Sequence, residues 1–108
     1  MSSSPGAALS VSDRPDENRY VATTADGTTA GFAEYKLAGD LIVFTHTEVD
    51  EAFEGQGVGG ALVRAALDHV RTREVRVLPL CPFVKAWIAR HPDYHGLVYG
   101  APPSRVSD

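Results

Sequence analysis

Residues 41–80 read LIVFTHTEVDEAFEGQGVGGALVRAALDHVRTREVRVLPL, and three successive patterns in this stretch decide the fold. Leu41 to Phe44 is a continuous apolar run suited to a strand buried on both faces, whereas Thr45 to Glu48 is polar, so the carboxyl end of the strand borders a cleft. Alternation along a strand puts His46 and Glu48 on one face and Thr45, Thr47 and Val49 on the other. From about Gly57 to Thr72 the period becomes helical. Val58, Leu62, Ala66 and Val70, flanked by Val63 and Leu67, make an apolar stripe, and Arg64, Asp68 and Arg71 lie opposite with helix-spaced ion pairing. A short strand over Val75 to Leu80 follows. Strand, helix and strand in this order make a right-handed crossover unit with the two strands parallel.

The pattern extends outward in both directions. Upstream, Arg19–Ala22, Thr28–Leu37 and Leu41–Val49 read as three antiparallel strands joined by the turn pairs Asp26-Gly27 and Gly39-Asp40. Downstream, Pro82 suits the first turn of a helix whose Val84, Trp87 and Ile88 form a second apolar stripe, and Pro92 ends it. The expected fold class is therefore α/β with a mixed sheet: an antiparallel meander, a β-α-β unit and a C-terminal helix. Residues 1–15 and 101–108, rich in Ser, Pro, Gly and Ala, have little to bury and read as mobile tails around one domain over residues 16–100.

Composition narrows the function. A chain of 108 residues that is 44% hydrophobic fits one domain with a modest core. A formal net charge of −4 offers no basic field for duplex nucleic acid or an anionic membrane, so a small, locally recognised ligand is expected. The single cysteine, Cys81, excludes an internal disulfide and a cysteine-rich metal site, so no metal is expected. The opening MSSSPGAALS lacks the charged and apolar regions of a signal peptide, which favours a cytoplasmic location.

The nine residues FEGQGVGGA, Phe53 to Ala61, place four glycines at the mouth of the helix. Exposed N–H groups at a helix start carry about +0.5 charge, and glycine lets a phosphate approach the backbone with no Cβ in the way. A strand, a glycine-rich turn and a helix in that order can cradle a diphosphate. The competing reading is a flexible connection with Gly60 packed against the sheet. A P-loop needs Lys followed by Ser or Thr after its last glycine, and none is present. A dinucleotide fold needs an acidic residue at the end of the next strand, where PLCP stands instead.

The spacing from Glu54 to Gly59 resembles the acyl-CoA pyrophosphate signature of the GNAT acetyltransferase superfamily: Gly57 and Gly59 match, and Glu54 stands where Gln or Arg is usual. FTHTEVDEAFEGQGVGGALV and VRVLPLCPFVKAWIARHPDY are likewise similar to the small single-domain GNAT-like proteins, a resemblance that covers roughly Asn18 to Gly100. It implies acetyl-CoA or coenzyme A as cofactor, with the pantetheine arm paired to the strand before the glycine loop at Thr47 and Val49. The diphosphate would then lie on Gly55, Gln56, Gly57, Val58, Gly59 and Gly60, and Lys85 and Arg90 of the second helix would meet the phosphates, against the plain reading of two solvated cations on a polar helix face. It also implies that Leu41–Val49 and Val75–Leu80 splay apart, and Pro79, which has no N–H to donate, independently favours a break in the ladder there.

The implied reaction is acetyl transfer to an amine, either a protein lysine, an N-terminus or a small amine, by direct attack in a ternary complex. The other reading is a CoA-binding module with little catalysis that acts as a sensor or interaction protein. His46 and Glu48 are the candidate bases, against plain structural or solvated roles. Cys81, just ahead of Pro82 at a helix start, is a candidate proton donor to the CoA sulfur or acyl carrier, against the ordinary fate of a small buried hydrophobe. A monomer or weak homodimer is expected.

Overall fold

The computed structural model describes residues 9–100. Five strands form one sheet in the order β1-β2-β3-β4-β5: β1 Ser10–Arg14, β2 Arg19–Thr23, β3 Thr29–Ala38, β4 Leu41–Val49 and β5 Arg76–Pro79. The first four pair antiparallel and β5 joins β4 in parallel. Helix α1 spans Val58–Arg73 between β4 and β5, and α2 spans Pro82–Ala89 after β5. The mixed α/β arrangement with its parallel crossover unit is the one the periodicity predicts. No helix among the described residues is long and apolar enough to cross a membrane.

The expected tail over residues 1–15 is corrected in part, because Ser10–Arg14 is an edge strand in register with β2 from Ser10 opposite Thr23 to Arg14 opposite Arg19. The physical reason is tertiary. Val11 packs on the core, while Asp13 accepts a 2.6 Å hydrogen bond from the Tyr35 hydroxyl and lies 3.7 Å from an Arg73 nitrogen. A polar residue pointing inward is tolerated when its partners arrive from elsewhere in the chain. Residues 1–8 and the expected tail at 101–108 lie outside the described residues.

The core forms where the α1 stripe meets the sheet. Val58, Leu62, Val63, Ala66, Leu67 and Val70 are buried, as the helical period requires, against Tyr20, Tyr35, Ile42 and Phe44. Val84, Trp87 and Ile88 of α2 join the same cluster. Both helices thus cover one face of the sheet, and Arg19, Phe32, Glu34, His46 and Glu48 share the other. Arg19 binds Glu34 at 3.2 Å and stands 4.1 Å from the Phe32 ring centre.

One irregularity governs the site. Tyr35 pairs with Phe44 but Glu34 pairs with His46, so Thr45 is an extra residue, a β-bulge in β4. The bulge reverses the phase of alternation. Before it Ile42 and Phe44 face the helices; after it Thr47, opposite Ala33, and Val49, opposite Gly31, take that face. His46 and Glu48 turn to the open face, with exposed side chains 2.8 Å apart.

Candidate functional site

Pairing of β4 with β5 runs only from Leu41 opposite Arg76 to Phe44 opposite Pro79. There the ladder stops: the Phe44 carbonyl accepts from the amides of both Leu80, at 3.0 Å, and Cys81, at 2.9 Å, and the chain turns into α2. Pro79, with no N–H, is the last residue of β5. Among the described residues, Thr45–Val49 therefore continues with β3 on one side and no strand on the other.

The chain leaves this open edge through a 3-10 turn, Glu51–Phe53, capped by the Asp50 carboxylate, which accepts from the Ala52 amide at 2.9 Å. Gly55 and Gly57 adopt φ of +82° and +80°, and no atom lies within 4 Å of where a Cβ would stand on either. Gly57 is the N-cap of α1 and has no side chain to serve that role, so the first turn of this helix has neither a side-chain cap nor an acidic residue. The first intrahelical bond runs from the Ala61 amide to the Gly57 carbonyl at 3.0 Å. The amides of Val58, Gly59 and Gly60 precede it and, as at every helix start, point outward for a partner that is not part of the helix.

Those amides face a cleft of about 270 Å³. Gly55, Gly57, Gly59 and Gly60 line one side, and Val49, Phe53 and Phe83 supply apolar wall. A Cβ on Gly59 would stand 2.7 Å from Phe83 Cζ, so the ring lies directly on the helix backbone. Glu54 borders the cleft, and among the described residues no cationic side chain does. The Gln56 side chain folds back onto the Ala52 carbonyl at 3.3 Å instead of entering it.

The predicted chemistry-bearing residues separate into two groups. Cys81, only 3% exposed, is the N-cap of α2, and its sulfur lies 3.4 Å from Thr47 Oγ1. Thr47 and Cys81 therefore meet on the helix side of β4, at the point where β5 departs. His46 and Glu48, one residue to either side of Thr47, form their own hydrogen-bonded pair on the opposite face. Lys85 is exposed and does not line the cleft. Two residues along a helix is a rotation of about 200°, so Lys85 points away from the side that Phe83 presents. Tyr94 is committed elsewhere: its hydroxyl donates to Asp68 at 2.7 Å, and that bond, together with burial, pushes its pKa upward. Sequence reasoning missed Phe53 and Phe83 as walls of the cleft. The one available signal was the Gly59-Gly60 pair inside a helix, which needs a bulky neighbour to fill the space.

The fold is thus a mixed sheet with a bulged fourth strand, a parallel pair that ends at Phe44 and Pro79, and a glycine-rich helix start without a side-chain cap. Residues 19–97 match the family model described as GCN5-related N-acetyl-transferase, and the chain belongs to that family. A GCN5-like protein from Staphylococcus aureus has the same fold, with a TM-score of 0.67 at 23% identity over 88% of this chain and 92% of that one. A GCN5-related N-acetyltransferase from Sphaerobacter thermophilus aligns with a TM-score of 0.53 at 25% identity, over 61% of this chain and 22% of that one. The protein NATD1 of Bos taurus is 34% identical over 59 residues, and that of Mus musculus 32%. The match spans 54% of this chain and 52% and 54% of those relatives, about half their length.

Proposed function

We propose that this chain binds acetyl-CoA and transfers its acetyl group to an amine by direct attack in a ternary complex. The observation that carries the reading is the α1 start: an N-cap glycine with no capping side chain, opening onto a cleft beside the end of the β4–β5 ladder. The residues present fit the group. Amides at Gly57–Gly60 offer donors to a diphosphate, Val49, Phe53 and Phe83 offer apolar surface, and the unpaired edge at Thr45–Val49 offers main-chain partners to the amide-bearing arm.

The bound cofactor supplies an activated acyl group; the rest is the chain's work. On the open face, the His46–Glu48 pair takes the proton that the amine nitrogen loses as it bonds to the acyl carbon. On the helix side, the Cys81 thiol, beside Thr47, gives a proton to the sulfur as the carbon–sulfur bond breaks. Acid and base on opposite sides of β4 suit direct transfer, in which amine and thiol meet the acyl carbon from different directions. They do not suit a Cys81 acyl carrier that uses His46 as its base. Positioning supplies most of the rate, about 7–11 kcal/mol of barrier, against roughly 10²–10⁴-fold for the base.

The test is a thermal-shift titration with acetyl-CoA followed by an assay for free thiol in the presence of an amine such as a lysine peptide. At 100 times the dissociation constant, binding stabilises by about 2.7 kcal/mol, a rise of roughly 10 °C or more for this size of domain. Thiol release that depends on the amine completes the reading. A shift without release leaves a binding module, and no shift refutes the cofactor site.

A further inference from the structure

Among the described residues the cleft has amide donors but no cationic side chain, and Glu54 is part of its lining. Coenzyme A carries, besides its diphosphate, a separate phosphate on the 3′ oxygen of the adjoining ribose. We propose that Arg64 is the receptor for this 3′-phosphate and makes the chain select the 3′-phosphorylated cofactor, an inference that rests on the cofactor reading above.

Arg64 lies four residues after Gly60, hence on the same stripe of α1 and about one turn further along. Side chains on a helix lean toward its N-terminus, which directs Arg64 back toward Gly60 and the cleft. Its guanidinium carbon stands 5.3 Å from the Trp87 ring centre and 5.9 Å from that of Tyr94, and Nη1 donates to the Tyr94 hydroxyl at 3.4 Å. Trp87 is also the ring that meets the cleft wall, because its Nε1 lies 3.5 Å from where a Cβ on Gly60 would stand. The guanidinium thus rests on an aromatic platform whose edge abuts the end of the amide cradle.

Its charge is uncommitted. Arg19 pairs with Glu34, Arg71 with Asp68 and Arg73 with Asp13, whereas Arg64 has no carboxylate partner within 4.0 Å among the described residues. Stacking restricts the side chain at little entropic cost and leaves most of its planar set of donors free for a phosphate, which such a fork engages in bidentate fashion. Of the two cations that the sequence offers on the second helix, Lys85 and Arg90, Lys85 faces away from the Phe83 side. Arg64 is therefore a side-chain charge that the fold holds beside the ring abutting the end of the cradle.

Isothermal titration of the full chain with coenzyme A and with 3′-dephospho-coenzyme A tests this. The wild type should prefer coenzyme A by about tenfold, the scale of one charge-assisted contact at a hydrated site. Arg64→Gln should weaken coenzyme A to the level of the dephospho form while leaving the latter unchanged, and Arg64→Lys should fall between. The proposal is overturned if the wild type binds both equally, if Arg64→Gln weakens both alike, as a purely structural role through Trp87 would, or if the preference follows Lys85→Gln instead. If neither nucleotide binds the wild type, the cofactor reading itself fails and this one with it.

Discussion

Replacing Gly31 by alanine should destabilise the chain through a clash that no rotamer change can relieve. A Cβ at this position in β3 would stand 2.7 Å from the Glu48 carbonyl oxygen, 3.3 Å from Val49 Cα and 3.5 Å from Val58 Cγ1. The first two are main-chain atoms of the paired strand, so β3 must move from β4 at the rung that joins Gly31 to Val49. Overpacking of this kind costs about 1–3 kcal/mol. At about 4–8 °C per kcal/mol for a domain of this size, Tm should fall by roughly 4–24 °C. Val58 is the first residue of α1, so the displacement also reaches the amides that face the cleft, and acetyl-CoA affinity should fall with stability. Gly57 provides the contrast, since its surroundings are open and only its φ of +80° resists a side chain. Gly57→Asn, which tolerates that conformation, should be milder than Gly57→Ala, whereas at Gly31 the larger Asn should be worse than Ala. Thermal melts and urea titrations of these four variants decide the matter. A Gly31→Ala protein melting within about 2 °C of wild type would refute the steric argument.

Other perturbations reach different parts of the fold. Tyr20 is buried and its pKa is pushed up from 10.0 to about 12, by burial first and the Asp13 charge second. The folded state therefore favours the protonated phenol: its contribution is complete below pH 10 and is lost between pH 10 and about 12. Tyr35 shifts the same way, so Tm should decline steeply across that window and less so in Tyr20→Phe; a Tm flat to pH 12 would contradict the burial of these phenols. At the other extreme, hydrogen bonds from Thr24 and then Thr28 lower the Asp26 pKa to about 2, so its carboxyl resonance in an NMR titration should have its midpoint there, not near 4. Cys81→Ala should reduce turnover by tenfold or more while the dissociation constant for coenzyme A stays within about twofold, as a loss confined to the transition state requires. Unchanged turnover would return the thiol to a packing role.

The fold was most legible where local chemistry and tertiary packing agree. Leu41–Val49 is one strand with the bounds its apolar-to-polar pattern suggests, and α1 starts one residue after the expected Gly57. The change of character at Thr45, read as a move from burial to a cleft border, coincides with the bulge that reverses which face each side chain takes. By contrast, β1 was hidden because its inward positions are Val11 and Asp13, and what satisfies Asp13 comes from Tyr35 and Arg73, far along the chain. Phe83 and Trp87, four apart on α2, have the spacing of ordinary core residues. Trp87 is buried, but Phe83 is 40% exposed and stands on Gly59, a placement that depends on how two helices cross.

The same division explains the site. Main-chain donors leave a trace in sequence, because glycine adopts the positive φ at positions 55 and 57 without strain and leaves the cradle free of Cβ atoms. Side chains that act through tertiary neighbours leave none. Nothing in the spacing of Thr47 and Cys81 announces a 3.4 Å contact between them, and nothing in the apolar period of α1 distinguishes Arg64 from Arg71. What separates those two arginines is their neighbours. Arg71 has the Asp68 carboxylate 3.9 Å away and bonds the Asp93 carbonyl at 3.1 Å, which leaves it little to offer a ligand. Arg64, one stripe position after Gly60, lies 5.3 Å from the Trp87 ring centre, donates to the Tyr94 hydroxyl at 3.4 Å and has no carboxylate within 4.0 Å among the described residues. On the proposal above, that difference in partners ties the second helix, through Trp87, to the binding of a phosphate at the first.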